Sequence, residues 1–338
     1  MFRKSRGAEA PFKRSDKRRY QLTRICEPVR KLLGTGRQRR IGHRIEGTPL
    51  TNTLEDSIRV DGLQVRFWRA GTGPALVLMH GLLGYGFSWR HVIPILARNR
   101  QVFAPDMPGS GFSECDPTLD CRLSSAAKRL LGFLDAAGIP SCDLVGSSYG
   151  GATAIMLAAL APSRVRRLVL VSPANPWSLY GRRRLALLRN PLVAALFPKL
   201  ARPMRPLHNY FLRRLYGDPS RITREAFRGY SEPLRRGGRF EHAIGVVRTW
   251  HADMQELKAA LPRVSSVPTL LVWGSKDRAV DPASAEPLRR NFQTIQIAIM
   301  EGAGHLPYEE YPEEFSRIVI QFLAYSPEQR WQQDEASA

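Results

Sequence analysis

The sequence predicts an α/β fold with a mostly parallel sheet, and three observations carry that prediction. Apolar runs alternate with helix-forming stretches along most of the 338 residues, the pattern of strand–helix–strand crossovers. Asp61-Gly62 separates two alternating runs, which indicates an antiparallel hairpin at the sheet's edge. Residues 176–248 interrupt the alternation and predict a separate group of helices. The predicted parallel strands lie around 75–79, 101–104, 142–145, 167–171, 268–273 and 295–299.

The interruption divides the chain into regions. We expect a core of residues 46–175 and 249–326, with a helical cap at 176–248 inserted into it. A basic, loosely packed segment at 1–45 and a loose polar tail at 327–338 flank them. Within the cap, prolines are expected to separate several short helices: Pro191, Pro198, Pro203 and Pro206.

Residues 146–150 contain the strongest candidate for a nucleophile. They read Gly-Ser-Ser-Tyr-Gly, follow an apolar run that predicts a strand, and precede a stretch of small and helix-forming residues. In a sharp strand-to-helix turn a serine holds a strained backbone, so residues two positions away must be small. Gly146 and Gly150 meet this need and expose the Ser148 hydroxyl at the carboxyl end of the sheet.

A serine hydroxyl needs a base, and the base needs an acid to orient it. Asp277 follows the predicted strand 268–273, and His305 lies in a glycine-rich loop after strand 295–299. These positions give the chain order serine, acid, histidine. Asp281 competes for the acid role, but its place before Pro282 favours a helix N-cap. His251, in a helical stretch, is the nearest rival of His305.

Strand 75–79 ends at a loop with glycines that can supply the third part of such a site. Backbone N–H groups in this loop can face a developing oxyanion. We assign the oxyanion role to the N–H groups of Leu82 and Tyr149. His80 and Gly81 are expected to support the loop, with His80 orienting it through hydrogen bonds.

Together these residues resemble the α/β-hydrolase superfamily. The resemblance rests on the His80-Gly81 loop with Trp89 beyond it, the run Asp106-Met107-Pro108-Gly109-Ser110-Gly111-Phe112-Ser113, and the residues Ser148, Asp277 and His305. It implies a mostly parallel eight-stranded sheet with helices on both faces. It also implies a triad of Ser148, Asp277 and His305, and a cap inserted after the sixth strand.

The resemblance also narrows the chemistry. Haloalkane dehalogenases and epoxide hydrolases of this fold carry an aspartate where Ser148 stands. A serine indicates a lipase-like or esterase-like hydrolase that cleaves a carboxylic ester or related acyl compound through an acyl-enzyme. The alternatives are carbon–carbon bond hydrolysis or cofactor-free perhydrolysis at the same triad, or a binding protein on this fold without turnover.

Charge is uneven along the chain, whose net charge is +21. Residues 1–44 hold 15 Lys or Arg against 3 Asp or Glu, and residues 181–248 hold 16 against 4. Leu22, Ile25, Val29, Leu32 and Leu33 form an apolar stripe among these basic residues, typical of a helix on a membrane surface. The alternative is that this stripe packs on the domain, with Pro28 dividing the helix into two short pieces. The basic regions favour peripheral contact with an anionic membrane and no nucleic-acid partner. The apolar residues of the cap favour an apolar small-molecule acyl substrate.

Cysteine usage and motifs bear on compartment and cofactors. Cys26, Cys115, Cys121 and Cys142 show no disulfide or metal spacing, Cys142 falls in a buried strand, and the basic N-terminus lacks a following apolar run. We expect a cytoplasmic protein with peripheral membrane contact. The sequence contains no phosphate-cradling G-x-x-x-x-G-K motif, so we expect no nucleotide, flavin or metal cofactor.

Overall fold

A computed structural model describes residues 53–178, 187–188 and 190–324. The basic segment predicted at 1–45, with its apolar stripe, and the tail predicted at 327–338 therefore lie outside the described residues, as does Cys26.

Eight strands of the described residues form one sheet in the order β1-β2-β4-β3-β5-β6-β7-β8. β1 pairs antiparallel with β2, and β2 antiparallel with β4, whereas every other pairing is parallel. The predicted α/β fold with a mostly parallel sheet is thus confirmed. The strands are β1 Leu54–Val60, β2 Leu63–Ala70, β3 Ala75–Met79, β4 Gln101–Pro105, β5 Cys142–Ser147, β6 Val165–Val171, β7 Thr269–Gly274 and β8 Ile295–Met300.

The edge hairpin forms where the sequence predicts it. Asp61 and Gly62 join β1 to β2, and both have positive φ angles, 49° and 81°. Two successive positive φ angles define the turn whose twist matches paired antiparallel strands, and Asp-Gly is a favoured sequence for it. The hairpin therefore places β1 at the outer edge of the sheet.

Helices cover both faces of the sheet. They are α1 Ile93–Leu96, α2 Leu123–Ala136, α3 Tyr149–Leu160, α4 Pro191–Ala201, α5 Arg205–Leu215, α6 Arg224–Leu234, α7 Arg239–Ala260, α8 Ala285–Arg289, α9 Pro307–Glu310 and α10 Pro312–Ala324. On one face, apolar residues of α2, α3 and α7 pack on β-strand side chains such as Val77 and Leu144. On the other face, residues of α1 and α10 pack on Leu76 and Val145. Strand residues alternate between the two cores because successive side chains point to opposite faces.

Helices α4 to α7 lie in the chain between β6 and β7, the position that the resemblance implies for the cap. We call these four helices and the residues that join them the cap. Two details differ from the sequence expectation. Pro198 lies inside α4 instead of ending it, and α7 is a 22-residue helix that continues past residue 248 to Ala260. About two turns of α4 precede Pro198, whose ring fixes φ at a value that a helix also adopts while removing one N–H donor. The proline positions in the sequence therefore predict shorter helices than the structure contains.

None of the helices in the described part of the chain combines the length and apolar character needed to cross a membrane.

Candidate active site

Ser148 occupies a strained turn between β5 and α3. Its φ and ψ are 52° and −119°, a region that non-glycine residues rarely adopt. The strained backbone is held on both sides: the Ser148 N–H donates to the Val171 carbonyl at 2.9 Å, and its carbonyl accepts from Ala174 at 2.9 Å. The turn is thus fixed to the neighbouring strand β6 and the loop after it.

The glycines around Ser148 make this turn possible. A Cβ on Gly146 would lie 2.5 Å from the Gly150 carbonyl oxygen, and a Cβ on Gly150 would lie 2.4 Å from the His80 carbonyl oxygen. A Cβ on Gly151 would come within 2.7 Å of Pro173. All three separations are too short for real contacts, so α3 can begin this close to the sheet only without side chains at these positions.

Asp277 and His305 form a buried hydrogen-bonded pair. His305 Nδ1 donates to Asp277 Oδ2 at 2.8 Å, and the two residues are 5% and 4% exposed. The other carboxylate oxygen, Oδ1, accepts from the amides of Ala279 and Val280. Burial alone would raise the pKa of Asp277, but the charge and hydrogen bond of His305 and the two amide bonds lower it below its usual value. Asp277 therefore stays ionised and accepts from Nδ1, so Nε2 is the ring nitrogen that remains to accept a proton.

The loop that carries His305 is anchored to the cap by a buried carboxylate. Glu310 accepts hydrogen bonds from the amides of Gly304 (2.6 Å), Gly217 (3.0 Å) and Asp218 (3.1 Å). The His305 amide in turn donates to the Leu215 carbonyl at 2.7 Å. The position of His305 therefore depends on the end of α5 as well as on the sheet.

The loop after β3 lies directly beside Ser148. A Cβ on Gly81 would be 3.2 Å from the Ser148 Cβ. Neither the Leu82 nor the Tyr149 amide donates to a backbone carbonyl in the turns and loops that the structure describes. Tyr149 is also the first residue of α3, where amide groups lack partners within the helix and the helix dipole favours negative charge.

His80 holds this loop in place. Its Nδ1 donates to the Gly81 carbonyl at 2.8 Å, and its Nε2 accepts from the Met107 amide at 3.2 Å. Burial, opposed in part by the bond to Gly81, lowers the pKa of His80 to about 4. A neutral ring with both nitrogens bonded to backbone favours the supporting role that the sequence predicts.

A cavity of about 920 Å³ connects these groups. Ser148, His305 and Asp277 line it, together with the loop of Leu82 and the start of α3 at Tyr149. Cap residues form the opposite side. Nine larger apolar side chains also line the cavity: Leu83, Phe211, Leu212, Leu215, Leu234, Val247, Trp250, Val280 and Leu306. The polar lining includes Asn175, His208, Arg214, Tyr230, Ser231 and Arg278.

A buried charged cluster joins the cap to the body beside this cavity. Arg90 donates to both carboxylate oxygens of Glu309, at 2.6 and 2.9 Å. Tyr230 of α6 donates to the same carboxylate at 2.6 Å, and Tyr216 donates at 3.3 Å. The Arg90 guanidinium also stacks 3.9 Å above the Phe87 ring. Each buried charge has hydrogen-bond partners, so the cluster holds the cap side of the cavity in place.

The rival residues lie elsewhere. Asp281 Oδ1 accepts from the Ala283 amide and caps the short helix Pro282–Ser284, the N-cap role that the sequence favours. His251 is exposed on α7 and contacts Gln255. The structure thus joins Asp277 to His305 at the cavity that Ser148 also lines, and neither Asp281 nor His251 lines that cavity.

Sequence analysis does not single out Glu310, Glu309 or Arg90. The adjacent glutamates after His305 are visible in the sequence, but Gly217 lies 93 positions from Glu310, and Arg90 lies 219 positions from Glu309. Periodicity and motif spacing carry no signal over such separations. Arg90 and Glu309 are identified as a pair only when the fold is known, because only the fold buries them together.

The sheet order, the strained serine turn and the buried acid–histidine pair define an α/β hydrolase. A family model for the alpha/beta hydrolase fold matches residues 74–312, and the chain belongs to this family.

Among similar proteins, 2-hydroxy-6-oxo-2,4-heptadienoate hydrolase of Pseudomonas putida is 31% identical over 276 residues, which cover 78% of this chain and 94% of the relative. A solved membrane phospholipase A, described as a bacterial virulence factor, is 26% identical with a TM-score of 0.68 and covers 81% of this chain and 87% of its own. Cfl2 of Burkholderia cenocepacia shares the fold at 23% identity, with a TM-score of 0.71 and coverage of 79% and 95%.

Proposed function

We propose that this protein is a serine hydrolase that cleaves a carboxylic ester or related acyl compound through an acyl-enzyme at Ser148. The observation that carries the proposal is the buried 2.8 Å hydrogen bond between His305 and Asp277, at the cavity that Ser148 also lines. Such a pair beside a strained serine supplies the base and the orienting acid that a serine nucleophile needs.

The reaction begins when His305 Nε2 takes the hydroxyl proton as Ser148 Oγ attacks the acyl carbon. Asp277 keeps Nδ1 protonated and stabilises the imidazolium that forms. The carbonyl oxygen becomes an oxyanion and accepts hydrogen bonds from the amides of Leu82 and Tyr149. His305 then protonates the leaving alkoxide, which departs as an alcohol.

The second half of the reaction releases the acid. His305 Nε2 takes a proton from water, and the hydroxide so formed attacks the acyl carbon of the ester on Ser148. The Ser148 oxygen leaves and recovers its proton from His305. No electrons are exchanged with a cofactor, and His80 takes no part because both of its ring nitrogens are bonded to backbone.

The size and apolar lining of the cavity favour a substrate with an extended apolar part. A cavity of about 920 Å³ lies at the upper end of the range for small-molecule sites. The similarity to a membrane phospholipase A supports an ester of a lipid acid as the substrate class.

A second candidate is carbon–carbon bond hydrolysis at the same three residues. Its specific support is the 31% identical relative named as a 2-hydroxy-6-oxo-2,4-heptadienoate hydrolase, a name that describes a diketone-like acid. Arg214 and Arg278 line the cavity and could hold the carboxylate of such an acid.

The two candidates are separated by a substrate panel. Purified protein is assayed with p-nitrophenyl esters of increasing acyl length and with a 2-hydroxy-6-oxo-dienoate, alongside Ser148→Ala and the neighbouring Ser147→Ala. We expect turnover of the esters that Ser148→Ala abolishes and Ser147→Ala retains. Turnover of the dienoate alone would favour the second candidate. Turnover of neither would favour a binding protein on this fold.

A further inference from the structure

The cap exposes an unusual amount of apolar surface on two consecutive helices. Eight of the twelve large apolar side chains that are exposed among the described residues fall between positions 187 and 211, on or beside α4 and α5. They are Leu187, Leu192, Val193, Leu196, Leu200, Met204, Tyr210 and Phe211, with exposures from 37% to 73%. We call these eight residues the cap face.

Helical spacing gathers part of the cap face into a stripe. Leu192, Leu196 and Leu200 recur every four residues along α4 and are 73%, 55% and 63% exposed. Residues four apart lie one above the other on a helix, so these leucines form one ridge pointing away from the packed side of α4. Scattered exposed leucines are ordinary on a soluble protein, but a ridge of them marks an interaction surface.

The segment that carries the cap face is basic, although Glu241 of α7 pairs with Arg202 at its edge. Residues 187–217 contain six Lys or Arg and no Asp or Glu. Lys199, Arg205 and Arg213 are exposed on the same two helices as the apolar residues. A protein partner of mixed charge gains little from such a surface, whereas a bilayer with anionic headgroups complements both its apolar and its basic parts.

The cap face reaches the cavity. Phe211 is 40% exposed and also lines the cavity, and its neighbours Leu212 and Arg214 line the cavity as well. A lipid leaving a bilayer at this face would meet the lining directly.

From these observations we propose that the cap face docks on the surface of a bilayer containing anionic lipids. The leucine ridge of α4 enters the acyl–headgroup boundary, the basic residues contact anionic headgroups, and an acyl lipid passes along Phe211 to Ser148. The last step rests on the proposed function, whereas the docking does not depend on turnover.

The test measures vesicle binding of the full chain. Vesicles of phosphatidylcholine with phosphatidylglycerol, and of phosphatidylcholine alone, are floated with wild type, with Leu192→Ser/Leu196→Ser/Leu200→Ser, and with Leu54→Ser/Leu160→Ser/Ile320→Ser. The last variant is the matched control, because its three residues are exposed and lie outside the cap. Thermal unfolding verifies that both variants fold, and flotation of Ser148→Ala separates docking from turnover.

We expect wild type, Ser148→Ala and the control to bind the anionic vesicles, less tightly as salt rises. The α4 variant should need about tenfold more lipid for half-maximal binding, because three apolar side chains no longer enter the boundary. Equal flotation of the α4 variant and wild type would overturn the proposal. So would wild-type dimers in sedimentation velocity that the α4 variant converts to monomers without any vesicle binding, because a second copy would then cover the cap face.

Discussion

The two sides of the cavity are built in different ways. On the sheet side, Ser148, Asp277 and His305 follow the carboxyl ends of the parallel strands β5, β7 and β8, each fixed by backbone hydrogen bonds. On the cap side, α5 and α6 are fixed by two buried carboxylates, Glu309 and Glu310, and α4 exposes a ridge of leucines.

This difference indicates that the two sides of the cavity have different functions. Backbone geometry sets the chemistry, because only a strained turn and closely packed glycines bring the groups together. Side-chain contacts set the shape of the cap, and with it the substrate. Changes on the sheet side should therefore alter rate, and changes on the cap side should alter stability, specificity or docking.

Asp277→Asn tests the sheet side with the largest expected effect. The variant should lower kcat by about 10⁴-fold, because asparagine favours the wrong tautomer of His305. Steady-state kinetics on the best ester gives the measurement. Asp281→Asn is the matched control and should keep kcat within a few-fold, since asparagine also serves as an N-cap. Similar losses of kcat in the two variants would contradict the assignment of Asp277, rather than Asp281, as the acid that orients His305.

Glu309→Gln tests the cap side. The variant leaves the buried Arg90 guanidinium without its main partner and should lower the free energy of unfolding by about 3–5 kcal/mol. Glu225→Gln removes the second, 64% exposed partner of Arg90 and should cost under about 1 kcal/mol. Urea unfolding followed by fluorescence measures both. Equal, small losses would mean that the cluster does not hold the cap.

His80 should make the free energy of unfolding depend on pH. Its folded pKa is lowered to about 4 from 6.5, so the unfolded chain binds a proton first as pH falls. The contribution to stability is complete above pH 6.5 and declines by about 3 kcal/mol as pH falls to about 4.

His80→Gln should therefore flatten the dependence of unfolding free energy on pH in this window. The remaining slope includes His242, whose pKa burial also lowers to about 4. His251→Gln, on the exposed surface of α7, should leave the wild-type slope. An unchanged slope in His80→Gln would mean that His80 is not held neutral.

Glu310→Gln tests the link between the two sides and has the smallest expected effect. In the variant, the side-chain NH2 would face backbone N–H groups that now donate hydrogen bonds to the Glu310 carboxylate. The loss of these hydrogen bonds should loosen the loop that carries His305. We expect kcat to fall by about 10²-fold with little change in KM, the scale of a small misplacement of a catalytic group. Glu314→Gln, an exposed neighbour on α10, is the control. A rise in KM with unchanged kcat would assign Glu310 to the cap alone.

Sequence reasoning predicted the sheet side well because its signals are local. The Asp61-Gly62 turn and the apolar strands are confirmed, and Gly146 and Gly150 lie where a Cβ would collide with backbone. Local context separates Asp277 from Asp281, because the first follows a strand end and the second precedes Pro282.

The cap is harder to predict because its determinants are long-range. Glu309 and Arg90 pair across most of the chain, and no period or motif connects them. The leucines of α4 look like core residues in the sequence, and only their exposure identifies the cap face. Pro198 inside α4 shows that a local helix breaker yields to the packing around it.

The central claim is that Ser148 is the nucleophile, activated by His305. The most direct measurement is labelling with a fluorophosphonate probe, with the modified residue located by peptide mass spectrometry. The account predicts phosphonylation of Ser148 in wild type, slowed by orders of magnitude in His305→Ala and absent in Ser148→Ala. Labelling at another residue, or labelling of His305→Ala at the wild-type rate, would contradict it.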